Sequence, residues 1–368
     1  MPKRINNIFY EKLKFKNMLS AYERAAKGKK DNKEVIKYEM DLACNIIQVL
    51  KQIYSRSYKV GEYRKFQIYE PKKRLIQSLP FKDRVVQQWY VEEFIKPIFV
   101  PKFIEDTYAC LDDRGVHRAV KKLNKYLYEY SKINNDLYIL KCDVAKFFYS
   151  ISKQKLFEII ERKVKDEYFL YLTKLFIYHN NEPVGIPIGN YTSQYFANIY
   201  LNELDQYIKR VLRVENYVRY MDDFVLLLPS KEDCIKYKAT ISTFLKDALH
   251  LELNAKSRYF PNKMGVNFCG YRIFATHKLL RNCSKKKIKR HVKKWNYLYK
   301  NNELDIPHTL IRINSWLGHA SFCNSYTLQQ KILHKCDFLY DDSTYNKLED
   351  NLLNDIKNFK DKKTDTPT

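Results

Sequence analysis

The sequence predicts an α+β fold, with long helical stretches interrupted by a few short strands that pair antiparallel. Three observations predict it. Apolar residues recur at three- and four-residue spacing over residues 10–55, 153–178 and 192–211, the signature of helices with one buried face. Short apolar runs at 137–142 and 216–228 end in polar or acidic residues and are too brief for core helices, so they read as strands. The second of these runs is broken only by Met221-Asp222, a tight turn that would fold it back on itself as a hairpin.

Taken in order, residues 10–55 read as helix, with Leu42, Ile46, Ile47, Leu50 and Ile53 on one face and lysines on the wet side. Residues 58–79 read as a β-hairpin whose tip is the basic turn Glu70-Pro71-Lys72-Lys73-Arg74. Pro80 breaks it, and helix is expected over 83–94. A strand over 137–142 ends at Asp143, and a helix follows over 153–178. After a loop holding Gly185, Pro187 and Gly189, residues 192–211 form a helix that Thr192 or Ser193 can cap. The hairpin 216–228, a helix over 231–249 and strand-like pieces over 251–273 come next. From Ser284 the chain reads as basic helix, and 361–368 as a short polar tail that frays. No internal repeat is visible.

The charge narrows the function classes. Lys and Arg number 67 against 42 Asp and Glu, a net charge of +25, which suits a polyanionic partner, with a plain basic surface or an anionic membrane as alternatives. The 31 tyrosines can stack on bases, and can equally fill a core. Eight cysteines show no regular spacing and no apolar signal run precedes them, so free thiols in a reducing cytoplasm are expected. The longest apolar run, Phe224 to Leu228, is far short of a membrane span. His319, Cys323, His334 and Cys336 are of zinc-binding types, but their spacing fits no zinc template and packing roles are expected for them.

The sharpest chemistry lies in Tyr220-Met221-Asp222-Asp223, set between apolar strands. Adjacent carboxylates there repel one another, and burial makes that worse; a hard divalent cation with a preference for oxygen ligands removes the problem. Neighbouring strand residues face opposite ways, so both Asp can serve one metal cluster only from a tight turn. Asp143, at the end of another strand, offers a third carboxylate. Two metals roughly 3.5–4 Å apart can then activate an attacking 3′-hydroxyl and stabilise leaving pyrophosphate. Asp112-Asp113 is the same kind of dipeptide in a polar loop before Arg114-Gly115, and reads as ordinary surface acid.

On these residues the chain resembles reverse transcriptases. Asp143-Val-Ala-Lys-Phe-Phe148 is similar to their motif A, Gly185 to Gln194 to motif B, and Tyr220 to Asp223 to motif C. Pro80 to Gln87 resembles the fingers motif of bacterial retroelement enzymes, Leu251 to Lys256 motif D, and Gly265 to Ile273 the primer grip. The finer resemblance is to enzymes of diversity-generating retroelements, whose motif B reads Ile-Gly-Asn, two variable residues, then Ser-Gln, as at Ile188 to Gln194. Thr276 to Arg281 and Ser315 to Ala320 also look like that family, and the likeness covers about residues 10–325.

The resemblance implies a right-hand polymerase: an N-terminal helical extension over 1–55, fingers over 56–135, a palm with an antiparallel sheet over 136–265, a helical thumb over 266–345 and a tail over 346–368. It implies two Mg²⁺ ions, replaceable by Mn²⁺, on Asp143, Asp222, Asp223 and the Val144 backbone. Phe148 would lie under the sugar of the incoming dNTP and exclude a 2′-hydroxyl, unless it is only core. Lys72 and Arg74 would clamp the triphosphate, unless they are plain surface cations. Gln194 would line the nucleotide pocket, and Lys256 is a candidate general acid or else a solvated lysine. Gly189, Asn190, Tyr220, Met221 and Gly270 would approach template or primer, and Arg84 would contact template or serve structure.

The basic helix after Ser284 packs Ile288, Val292 and Trp295 on one face and would grip the nucleic-acid backbone with the other, or leave it solvated. An RNA template, a DNA or RNA primer and an oligomeric accessory variability protein are the implied partners, with no membrane. The implied role is cDNA synthesis that misincorporates opposite adenine; an antiviral-defence or retron-type enzyme and an inactive RNA-binding scaffold are the alternatives. No ribonuclease H, integrase or maturase extension is expected in this length.

Overall fold

The computed structural model describes residues 4–69, 72–133, 137–180 and 182–340. The expected turn residues Glu70 and Pro71 and the expected tail 346–368 lie outside them. The chain divides into two compact units, Met1–Lys122 with Asn134–Pro261, and Leu123–Ile133 with Asn262–Thr368.

The first unit opens with four helices, α1 (Phe9–Lys12), α2 (Phe15–Ala26), α3 (Lys33–Glu39) and α4 (Leu42–Tyr54), where periodicity predicted one. The reason for the break is local: Gly28 takes a left-handed φ of 69°, and the Asn32 side chain accepts from Glu34 N–H at 2.9 Å to restart a helix. Strands β1 (Arg64–Ile68) and β2 (Arg74–Ser78) form the expected hairpin, in register from Arg64↔Ser78 to Ile68↔Arg74. Pro80 then caps α5 (Phe81–Tyr90), which begins two residues earlier than expected and continues through a π-helical turn, Val91–Ile95, into α6 (Lys96–Phe99). Helix α7 (Val116–Ile133) has no counterpart among the sequence expectations.

Strand β3 (Tyr138–Asp143) leads to α8 (Phe147–Ser150). The helix expected over 153–178 is two, α9 (Lys153–Glu161) and α10 (Glu167–Tyr178). Asp166 separates them: its carboxylate accepts from Tyr168 and Phe169 N–H at the start of α10, and from Ile8 and Phe9 N–H at the start of α1. One buried acid therefore satisfies orphan donors of two helices, which an unbroken helix would not allow.

Helix α11 (Tyr191–Gln206) ends in a second π-helical turn, Tyr207–Val211. Its expected caps are replaced: Thr192 and Ser193 are buried inside it, and the Gln87 side-chain oxygen accepts from Tyr191 N–H at 3.1 Å. Strands β4 (Tyr217–Tyr220) and β5 (Asp223–Leu228) make the hairpin, α12 (Lys231–Leu249) is capped by Ser230, and β6 (Arg258–Pro261) closes the sheet. The sheet order is β4-β5-β3-β6, with every pair antiparallel. Its apolar residues Leu140, Cys142, Phe224 and Leu226 belong to one core with Phe196, Tyr200 and Leu204 of α11 and Ile241 and Leu245 of α12.

The second unit holds a three-stranded antiparallel sheet, β7 (Val266–Phe268), β8 (Tyr271–Ile273) and β9 (Lys278–Leu280), and helices α13 (Asn282–Lys300), α14 (Ile306–Ala320) and α15 (Tyr326–Leu333). Ile288, Val292 and Trp295 of α13 form the expected packing face, buried with Ile313, Ile332 and Phe338. Lys286, Lys287, Lys289, Arg290, Lys293 and Lys294 stay exposed on the same helix. The α+β class predicted from the sequence is the class observed.

Candidate active site

The centre of the sheet brings three carboxylates together. Asp143 ends β3 and Asp223 begins β5, and the two are direct register partners. Val144 N–H donates to Asp222 C=O at 3.3 Å, which makes 143–223 a non-hydrogen-bonded pair. Side chains of such pairs stand on one face with Cα atoms about 4.5 Å apart, and like charges so placed repel. Asp222 completes the group from the turn. Burial, then Asp143 and Asp223, push its carboxyl up to about 6, while Arg74 pulls it down.

The turn is built to present Asp222. Tyr220 pairs with Asp223, so the loop is only Met221-Asp222, and Met221 takes a left-handed φ of 56°. That conformation is unfavourable for a bulky side chain and persists only where surroundings enforce it. Arg219 enforces it. Its side chain is fully buried and donates through Nη1 to Met221 C=O at 2.9 Å. It also donates to Asp205 of α11 through Nε at 2.7 Å and Nη2 at 2.6 Å, and through Nη1 to Asn198 at 3.1 Å. Tyr217 and Thr107 hydroxyls donate to the same Asp205 carboxylate at 2.7 and 2.9 Å. A planar guanidinium with a carboxylate that is itself fully bonded is the arrangement in which a buried ion pair holds.

The carboxylates are also held from their own side. Asn254 donates through Nδ2 to Asp143 Oδ2 at 3.0 Å and through its backbone to Asp143 C=O at 2.7 Å. Ser257 Oγ accepts from Asp143 N–H at 3.2 Å, and Lys141 Nζ reaches Asp223 Oδ2 at 2.9 Å. Among the described residues no three acidic, His or Cys side chains form a ready-made metal cage. The donor set still fits hard cations: all-oxygen, crowded with like charge, and with one acid desolvated enough to resist ionisation.

The remaining expected residues fall as follows. Val144 is buried and bridged to Leu253. Phe148 is half-buried, and its carbonyl accepts from Ile186 N–H at 2.8 Å, tying it to the glycine loop. Gly189, at φ 120°, lies against β2: a Cβ there would meet Ile76 Cγ2 at 3.0 Å and Gln77 C=O at 3.1 Å. Asn190 is buried and donates to the Tyr63 hydroxyl at 2.8 Å, and Gln194 is half-buried one turn into α11. Lys72 and Arg74 are exposed on the β1–β2 hairpin, with the Arg74 charge felt at Asp222. Arg84 pairs with Glu34 at 2.5 Å and lies over the Phe81 ring, which gives it a structural contact. Lys256 is exposed, its N–H on Asn254 Oδ1. Gly270, at φ 91°, belongs to the second unit, where a Cβ would press on His319 at 3.2 Å; the Tyr271 hydroxyl bonds that same imidazole at 2.8 Å.

Asn254, Lys141, Asp205 and Arg219 hold this site without standing among the residues expected from the sequence. Arg219 did carry a signal, a lone cation inside the otherwise apolar strand Tyr217-Val218-Arg219.

The family model described as reverse transcriptase (RNA-dependent DNA polymerase) matches residues 64–273, more than half of the chain. A putative COX1/OXI3 intron 2 protein of Saccharomyces cerevisiae is 24% identical over 205 residues, covering 38% of this chain and 24% of that protein. The group II intron-encoded protein LtrA of Lactococcus lactis subsp. cremoris is 23% identical over 265 residues, covering 52% and 43%. The chain thus aligns with less than half the length of these relatives. Among solved structures, telomerase from Candida albicans with a fragment of telomeric RNA gives a TM-score of 0.45 at 12% identity over 65% of this chain and 51% of that one. Apo telomerase from Candida tropicalis gives 0.41 at 13% identity over 60% and 47%.

Proposed function

Because the chain belongs to the reverse transcriptase (RNA-dependent DNA polymerase) family, we propose that it builds DNA on an RNA template at Asp143, Asp222 and Asp223. The observation that carries this reading is the Asp143–Asp223 pair facing across β3 and β5 with Asp222 desolvated beside it. Two Mg²⁺ ions held by these acids and the Val144 backbone would supply charge compensation for the primer hydroxyl and the departing pyrophosphate, with Mn²⁺ able to replace them.

The chain's own residues do the positioning. Asn254 and Ser257 fix Asp143, and Arg219 fixes the turn that carries Asp222. Arg74, with Lys72 on the same hairpin, suits a triphosphate arriving beside the carboxylates. Phe148, tied to the glycine loop, suits exclusion of a 2′-hydroxyl, and Gln194 and Asn190 suit the nucleotide pocket. Lys256 suits proton delivery to pyrophosphate. In this reading 56–135 serve as fingers, 136–265 as palm and 266–345 as thumb, with the exposed lysines of α13 along the template–primer backbone and Gly270 in the primer grip.

The finer proposal is mutagenic cDNA synthesis in a diversity-generating retroelement, with an oligomeric accessory protein, supported by Ile188-Gly189-Asn190 and Ser193-Gln194. The intron-encoded relatives favour a second reading, copying of an intron-type RNA. Primer extension on RNA with dNTPs and Mg²⁺ tests the activity: no extension on any RNA template, with neighbouring small basic proteins co-expressed, rejects it. Sequencing the cDNA made in the native context separates the two templates. Substitutions concentrated at template adenines support the retroelement, and faithful intron cDNA supports the second.

A further inference from the structure

Outside the carboxylate site, the first unit holds a cavity of about 550 Å³ walled by the C-terminal halves of α9 and α11 and the turn after α6. It begins midway along α11, at Ile199, roughly 12 Å along that helix from Tyr191 at 1.5 Å per residue. Its floor is apolar, formed by the buried Phe103, Ile159 and Ile199. Its rim is cationic, with Lys102, Lys163 and Arg210 on three separate segments.

These three cations have no carboxylate within ion-pair distance among the described residues. The acid at the rim, Glu203, is engaged by Arg162 at 2.8 Å, and the fourth cation, Lys209, is paired with Asp106 at 2.9 Å. Burial and the charge of Lys163 both hold the Lys102 amine below the usual lysine range. The Lys102 side chain lies over the Phe99 ring, and its carbonyl accepts from Gln206 at 3.0 Å, so the rim is braced. The π-helical turn Tyr207–Val211 borders this cavity and carries Lys209 and Arg210. Such turns insert an extra residue at a cost in helix geometry and are frequent where a helix serves a site.

We propose that this cavity binds one nucleotide, its phosphate between Lys102 and Lys163 and its base and sugar over the Phe103–Ile199 floor. A volume of this size falls in the range of small-ligand sites, and uncompensated amines over an apolar floor match an anion carrying a flat apolar body. Two sources share this chemistry: a free nucleoside triphosphate, and a nucleotide of an RNA strand running outside the template channel.

The test photo-crosslinks the full chain, in EDTA, with 8-azido-ATP and separately with a short single-stranded RNA carrying one 4-thiouridine. Adducts are mapped by mass spectrometry. Labelling within residues 99–104 or 199–210 is expected, falling about tenfold in Lys102→Glu/Lys163→Glu as charge-assisted phosphate contacts are lost. Primer extension with saturating template and the melting temperature should stay unchanged in that variant. Lys102→Gln/Lys163→Gln repeats the test without introducing acid. Labelling by 8-azido-ATP alone assigns a free nucleotide, and labelling by the RNA assigns a strand. Absence of adducts there with both probes, labelling unchanged in both variants, or displacement by polyglutamate but not by unlabelled ATP or RNA overturns the proposal; the last outcome marks an acidic peptide site. Failure of primer extension in the unmodified chain bears on the catalytic reading alone.

Discussion

Arg219 and Asp222 stand three residues apart on one hairpin, yet their charges are treated in opposite ways. Arg219 is fully buried and meets a carboxylate, an amide and a carbonyl, while its partner Asp205 takes further bonds from Tyr217 and Thr107. Asp222 meets two more carboxylates and is pushed up to about 6. The chain itself compensates the charge of Arg219 and leaves that of Asp222 among like charges. Arg219 is fully buried and Asp222 half-buried, so compensation rises with withdrawal from water along the hairpin.

The largest expected effect tests the uncompensated end. Asp222→Asn should lower primer extension by on the order of 10³–10⁴-fold while leaving the metal-free melting temperature equal or higher, since it removes repulsion as well as a ligand. A variant that keeps activity would place the chemistry elsewhere.

The compensated end should respond in the reverse sense. Arg219→Met leaves Asp205 buried and unpaired and should destabilise by about 3–5 kcal/mol in chemical denaturation, whereas Arg219→Met with Asp205→Leu should recover much of it. If the single variant is as stable as the parent, the network is not what holds the turn.

A smaller effect lies between the two ends. Asn254→Ala removes a bond to Asp143 without touching the fold's core, and should lower Mg²⁺ affinity or activity by about 10–100-fold. A fall confined to melting temperature would reduce Asn254 to a loop residue.

The smallest effect is in pH. The folded carboxyl of Asp222 is raised above its unfolded value, so its contribution to metal-free stability is full below about pH 4 and lost as pH rises through about 6. Mg²⁺ competes with that proton. The rise in melting temperature caused by Mg²⁺ should therefore be present at neutral pH and shrink as pH falls through about 6; a pH-independent rise would contradict the assignment.

Much of the site is legible along the chain because its acids occupy recognisable local settings. Asp143 closes an apolar strand, and Asp222-Asp223 occupies a two-residue turn between apolar runs. What supports them is not legible: Asn254 lies 111 residues from Asp143, and Gln87 caps a helix 104 residues away. Local pattern also misjudged continuity. Periodicity runs through Gly28 and through Asp166, where a capping side chain restarts a helix, and it left α7 unassigned although Ala119, Val120, Leu123 and Leu127 carry helical spacing and are buried.

By itself, the sequence determined the α+β class and the hairpin, since each follows from short-range periodicity or turn chemistry, and it nominated Asp143, Asp222 and Asp223 through their local settings and a family resemblance. Only the tertiary structure decided that Asp143 and Asp223 face one another, that Arg219, itself held by Asp205, braces Met221, and that Lys102, Lys163 and Arg210 ring one cavity. Those facts depend on strand register and helix packing between residues far apart in the chain, and a one-residue slip in register would turn Asp143 to the other face of the sheet.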